Sequence, residues 1–443
     1  MIQKVRQYIQ EARRHHLVRK TLTLQIGNAA STLVLAVSGV VLARLLQPEL
    51  FGRYALAFSI ASICSVFIGG GITDAITPAL SRAWAQRDEV GFRSTVGFYF
   101  KFLSACATVT LVVLGLLPTI TAYLYHSSTV GWYAIVVVIA SIISTTVFAI
   151  TQLTLQITGR FSKMAALSFT DIAIRYGSTL FLVFTGMGVW GAVSGHFVGA
   201  LAMMTIASFL YVRLERQEPL IPRLRELARL ARQASWQPLL KPTLWVLADS
   251  NFATLYGALP VAMVGLFVTG SQLAYFKLAF GYIILGMSAM GPVSTVMNVH
   301  FPTIQTTSPE RLRKTFVQVT SAAVLLSTAI TSVVLFLAPW VFRLLYGPAY
   351  AGAVEYVYGF AAFGAFYGLG VGLGPMWRSL NLVRVSIMIN LVTLGLGVPL
   401  GLWLLHMYSI WGAVIMVTIW YTVSHAVSFV YLLGRLKKVE SRK

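Results

Sequence analysis

Runs of twenty-odd apolar residues, separated by short polar and basic turns, recur from end to end of this 443-residue chain. A bilayer core about 30 Å thick takes roughly 20 helical residues to cross. A backbone that crosses lipid must satisfy its own hydrogen bonds, so such runs fold as helices. Matching the runs to that length places twelve spans, at about 22–46, 53–77, 96–124, 131–156, 164–185, 189–212, 243–268, 272–300, 315–345, 350–377, 383–405 and 409–433. Only 11% of the residues are charged, against ~25% in soluble domains, which excludes a soluble globular or a disordered protein. The expected fold is an all-α polytopic membrane protein with about 12 transmembrane helices.

The formal charge is +21, from 34 Lys and Arg against 13 Asp and Glu. Its placement excludes a nucleic-acid-binding surface, because most of it sits in short blocks between the spans. Counting one side of the membrane collects 28 of the 34 cations. These come from the first 20 residues, 78–95, 157–163, 213–242, 301–314, 378–384 and the tail. The turns after spans 3, 5, 7 and 11 have no Lys or Arg. By the positive-inside rule both termini are cytoplasmic. Cys64 and Cys106 both fall in apolar runs and read as small buried hydrophobes rather than a disulfide. The first span is too long for a signal-peptide core and is expected to be retained.

The two halves echo each other. Pro118 and Pro339, Tyr125 and Tyr346, Lys163 and Arg384, and the tetrapeptides WGAV at Trp190–Val193 and Trp411–Val414 are all offset by 221 residues. Phe51–Phe58 aligns with Leu273–Phe280 at an offset of 222. Six spans per half is an even number, so the lobes have parallel topology and should be related by an axis along the membrane normal, as in many transporters. The expected organisation is a basic N-terminal segment 1–21, a six-helix lobe 22–212, a basic amphipathic linker 213–242, a second six-helix lobe 243–433 and a basic tail 434–443. In the linker, Leu224, Leu227, Ala228 and Ala231 share one helical face, largely apart from Arg223, Arg225, Arg229 and Arg232. That pattern reads either as a helix lying on an anionic leaflet or as a tether between lobes.

Ionisable residues within spans are functional candidates. Asp171 and Arg175 stand at i, i+4 in span 5, either a neutralised structural pair or an anion contact with its acidic partner. Arginine suits phosphate because its planar fork binds bidentately. Arg44, Arg53 and Lys277 are further non-loop cations. Gln25, Asn28 and Thr32 line one face of span 1, Gln152 and Gln156 one face of span 4, and Asp249 and Asn251 fall in span 7. Each is either interhelical glue or part of a hydrated cavity suited to hydroxyl-rich ligands. Asp74, in span 2, is a cap, a partner of Arg82, or a coupling acid. Gly364, Gly368 and Gly372 in span 10 permit close packing or a hinge. No Walker loop, catalytic constellation or metal-ligand spacing is present, so no cofactor and no enzyme activity are expected.

Leu42–Phe58, reading LARLLQPELFGRYALAF, resembles the hallmark of the polysaccharide transporter family. That family includes the Wzx-type flippases of the multidrug/oligosaccharidyl-lipid/polysaccharide exporter superfamily. The resemblance implies a bacterial inner-membrane protein that moves undecaprenyl-pyrophosphate-linked oligosaccharide from the cytoplasmic to the periplasmic leaflet by alternating access. It implies membrane lipids and the polysaccharide polymerase and chain-length machinery as partners, and a cationic cavity, in keeping with Arg175, Arg44, Arg53 and Lys277. The two extra C-terminal helices of the peptidoglycan-precursor branch are lacking, which argues against a lipid II cargo. The competing expectation is a cation-coupled multidrug exporter of the same superfamily, using Asp249 or Asp74 as its cavity acid.

Overall fold

Three helical stretches are far too long for a single crossing: Ala29–Ala85 and Phe161–Gln217 have 57 residues each, and Val383–Lys437 has 55. At 1.5 Å per residue each would run roughly 80 Å, so each must turn back. The computed structural model describes residues 16–237, 239–268, 270–307 and 309–440, the side chains of 16–26, 28, 299, 307, 309 and 438–440 excepted. The first stretch breaks at Gln47 (φ 57°, ψ 166°), followed by Pro48, which has no N–H to lose at a helix start. The second breaks between Gly186 (φ 88°) and Gly188 (φ 56°, ψ −134°), and the third at Ser409 (φ 50°, ψ −130°). Twelve helical spans follow among the described residues: α1 16–46, α2 48–85, α3 89–125, α4 128–157, α5 161–187, α6 Gly188–Gln217, α7 Leu240–Gly265, α8 271–307, α9 309–346, α10 353–379, α11 383–408 and α12 410–440. The chain is an all-α multi-pass membrane protein.

The internal repeat is written into the backbone. Left-handed residues close corresponding turns: His126 and Gly347 after α3 and α9, Gly159 and Asn381 after α4 and α10, Gly188 and Ser409 after α5 and α11. Their spacings are 221, 222 and 221 residues. A positive φ is costly for any residue with a Cβ, so its recurrence marks the same turn built twice.

Two compact units emerge. The first consists of the chain through Leu46 together with Ile60–Asn251, the second of Gln47–Ser59 and Phe252 onward. The hallmark segment from Gln47 onward thus packs within the second unit, where Gly52 lies so close to the carbonyl of Gly270 that a side chain there would collide with it. Phe51 meets Tyr350 edge-on at 6.3 Å. Conversely, the first half of α7 packs within the first unit. There Asn251 donates to the carbonyls of Gly70 (3.1 Å) and Leu247 (2.8 Å). The carbonyl of Gly70 needs that partner because Gly69 (φ 97°) and Gly71 (φ 89°) interrupt α2.

The core of the first unit gathers Ile76, Leu80, Phe92, Phe98, Tyr99 and Phe102, all buried. Tyr99 satisfies its hydroxyl by donating to the Thr145 carbonyl at 2.5 Å. That carbonyl lies in the π-helical stretch Ser144–Phe148, where the α ladder is disrupted. The linker also belongs to this core. Leu220, Ile221, Leu227 and Ala234 are buried, Gly97 of α3 lies against the carbonyl of Leu230, and Lys101 donates to Ala234 at 2.6 Å beneath the ring of Trp236. Of the apolar face of the linker helix, Leu227 is buried and Leu224 and Ala231 half-buried against protein, while Ala228 and Arg223, Arg225, Arg229 and Arg232 stay exposed. In the second unit, Phe276, Phe280, Phe360 and Phe363 form an aromatic cluster, and Phe301, Phe316, Met376 and Trp377 belong to a buried apolar one. Exposed apolar residues such as Leu33, Val112, Leu325, Phe336 and Leu396 suit a lipid-facing surface.

Candidate functional site

α4 and α5 run antiparallel within the first unit and carry polar residues toward each other. At one level, Arg175 Nη2 donates to Asp171 Oδ1 at 2.5 Å and to Ser144 Oγ at 3.1 Å. The Ser144 hydroxyl gives its own proton to the Ala140 carbonyl, so its oxygen is set to accept. The pair is mostly withdrawn from solvent, with side chains 17% and 16% exposed. Asp171 engages one corner of the guanidinium, leaving its remaining N–H groups as donors. About two turns away, roughly 10 Å along α5, Gln152 Nε2 donates to Ser168 Oγ at 2.8 Å. Together the two rungs mark a polar seam along the α4–α5 contact.

Gln152 of the second rung also lines a cavity of about 420 Å³ whose polar lining is Thr73, Asp74, Thr77, Gln152 and Gln156. Asp74 begins the second half of α2, three residues past the Gly71 break, where the helix N-terminus favours negative charge. It forms no ion pair among the described residues, because Arg82 donates instead to the Pro78 carbonyl at 3.3 Å. Pro78 has no N–H, so the backbone carbonyl of Asp74 loses its usual i+4 helical donor. Such a lining of hydroxyls, amides and a carboxylate suits a ligand that both donates and accepts hydrogen bonds.

Close packing of α5 against α6 holds Arg175 in place. Gly191, Gly195 and Gly199 form a stripe at four-residue spacing on α6, and a Cβ at Gly199 would stand 2.6 Å from the Arg175 Cα. His196, buried on the same helix, packs its ring edge-on to Tyr176 at 5.2 Å.

Residues 41–355 match the sequence model of a family described as polysaccharide biosynthesis protein. The chain belongs to that family. Its fold is also that of solved transporters of the MOP superfamily. A multidrug-resistance MATE family transporter in an inward-facing conformation aligns at a TM-score of 0.70 and 16% identity, over 92% of this chain and 96% of that one. A MOP superfamily transporter from Pyrococcus furiosus, described as having a binding pocket of reversed polarity, aligns at 0.67 and 17% identity over 95% of both chains. An outward-facing MATE structure aligns at 0.64, again at 17% identity, over 95% and 96%. A search of curated proteins by sequence found no match.

Within this family member, the remaining candidates separate. Asp74, Gln152 and Gln156 meet in one cavity, and Asp171 and Arg175 lie in the other rung of the α4–α5 seam, outside its lining. Asn251 instead spends its amide on two backbone carbonyls. Arg53 is tied to Glu49 at 3.2 Å in a pair 53% and 55% exposed. Lys277, half-buried on α8, has no hydrogen-bond or ion-pair partner among the described residues. Arg44 is exposed near the end of α1 and Asp249 half-buried on α7, while the side chains of Gln25 and Asn28 lie outside the described residues. Ser144 and Ser168 escaped the sequence reading. A serine in an apolar helix is too common to single out, although their spacing from Gln152 and Arg175 is visible once α4 and α5 are paired.

Proposed function

We propose that this polysaccharide biosynthesis family member is a flippase. It moves undecaprenyl-pyrophosphate-linked oligosaccharide from the cytoplasmic to the periplasmic leaflet of the bacterial inner membrane by alternating access, with both termini cytoplasmic. Family membership favours a glycan-linked cargo over a drug. The observation that carries the reading is a withdrawn arginine bonded to α4 through Ser144, together with a cavity that the same helix helps to line and whose groups are mostly hydroxyls and amides, with one carboxylate. An anionic pyrophosphate calls for the first and sugar hydroxyls for the second. Asp171 holds the guanidinium and offsets its charge in the empty protein, and a phosphate oxygen takes up the free N–H donors.

The test uses the purified chain in vesicles loaded with an undecaprenyl-pyrophosphate oligosaccharide, following accessibility of the glycan to a membrane-impermeant glycosidase. Protein-dependent exposure is expected. Arg175→Gln should slow it tenfold or more, since a hydrogen bond to a charged group is worth about 1.5–3 kcal/mol. A correctly inserted Arg175→Gln that flips at the wild-type rate removes the arginine from the mechanism. Wild-type protein that never exposes the glycan removes the function.

One observation favours a second reading, a cation-coupled multidrug exporter: Asp74 is an acid without an ion-pair partner among the described residues, in a cavity wall. Under that reading, expression lowers drug susceptibility and Asp74→Asn abolishes the protection.

A further inference from the structure

The second unit contains a cavity of its own, of about 400 Å³, within the roughly 300–1,000 Å³ usual for ligand clefts. Its walls carry four aromatic rings, Phe252, Tyr256, Tyr367 and Tyr421, and its polar lining includes Asn390 and His425. No Asp, Glu, Lys or Arg lines it. Asn390 Oδ1 accepts from Tyr256 Oη at 3.2 Å and from Ser424 Oγ at 2.9 Å. Both acceptor sites of that oxygen are thereby filled, which fixes the amide plane and leaves its two N–H donors for a ligand. The Nδ1 of His425 is buried and has no hydrogen-bond partner among the described residues. The ring is held between Tyr421, 5.6 Å away, and Gly370, where any side chain would press into the imidazole.

We propose that this cavity of the second unit is a subsite for an uncharged, hydroxyl-bearing sugar ring of the cargo, a reading that rests on the glycan-linked substrate proposed above. An inorganic cation would sit here at membrane depth without a single counter-charge in the lining, and desolvating it would not be repaid. A phosphate would lack cations for the same reason. A sugar ring carries apolar C–H faces that suit the aromatic walls and hydroxyls that meet the Asn390 amide. Aromatic faces with a few fixed polar groups are the usual make-up of an orienting pocket.

The experiment compares binding of two probes to the full chain in nanodiscs: undecaprenyl pyrophosphate carrying the source cell's own oligosaccharide, and undecaprenyl pyrophosphate without sugar. The wild-type chain should bind the glycosylated lipid more tightly. Asn390→Leu should weaken that binding about tenfold, the worth of one or two hydrogen bonds, and leave the bare lipid unaffected. Tyr421→Phe keeps the ring and tests the hydroxyl alone, with a melting curve confirming that each variant is folded. Folded variants that bind the glycosylated lipid like wild type, or that lose both lipids equally, overturn the proposal, as does wild-type preference for neither lipid. Failure to bind either lipid would instead bring down the flippase reading, and this subsite with it.

Discussion

Arg175 shows how a single side chain can be both an anchor and a candidate contact. A cation in mid-span costs roughly 2.5–3.5 kcal/mol on insertion scales, and Asp171 one turn away offsets much of that. The sequence spacing alone left the pair divided between structure and function, and the Ser144 bond explains why. The guanidinium is oriented by two acceptors on two helices, a geometry that i, i+4 pairing does not require. Ser409 makes a second residue-scale point. It adopts φ 50° and ψ −130°, almost the conformation of its counterpart Gly188 at φ 56° and ψ −134°. That region is open to glycine and strained for a residue with a Cβ, by about 1–3 kcal/mol. Ser409→Gly should therefore raise the melting temperature of the detergent-purified protein by a few degrees, and Gly188→Ser should lower it. An unchanged or lower value for Ser409→Gly would show that the turn is not strained.

Elements here are set by where helices can approach. The sequence reading drew out the glycines of α10, and they do pack: Gly368 lies against the Ala323 carbonyl and Gly364 against Thr331. It passed over Gly191, Gly195 and Gly199 on α6, which make an equally close approach to α5. Spacing of small residues is the same in both helices, and only the partner decides which contact is tight. Gly195→Leu should cost about 1–3 kcal/mol, as overpacking does, read as a lower melting temperature. Gly177→Leu on α5, where nothing lies within 4 Å of a Cβ, should melt like wild type. Equal melting of the two variants would refute the packing argument. The linker teaches the converse lesson. Its amphipathic pattern was plain, but a pattern cannot say whether lipid or protein covers the apolar face. The burial of Leu227 and the Lys101–Ala234 bond assign it to α3.

At the scale of the molecule, the cation bias predicts a topology. In a chain with Cys64 and Cys106 replaced by alanine, Ser127→Cys after α3 should react in intact cells with an impermeant maleimide. Ser162→Cys at the start of α5, beside the basic α4–α5 turn, should react only after permeabilisation. The reverse pattern would invert the orientation and put the arginine seam's access in question.

The number of spans, the bias of their flanking charges and the duplication of the halves could all be read from the chain, because hydropathy, the positive-inside rule and repeat spacing are local or additive along the sequence. So could Arg175, Asp171, Gln152 and Gln156 as candidates, since polar side chains in lipid are expensive wherever they occur. Tertiary structure decided which of them meet. It joined Asp74 to the glutamines, gave Asn251 to the broken backbone of α2, packed the hallmark glycine of one half into the second unit, and made a cavity from Tyr256, Asn390, Tyr421 and His425 across helices far apart in sequence. Such meetings depend on the rotation and crossing of each helix against its neighbours. Those are settled by packing among apolar surfaces that look alike when read one residue at a time.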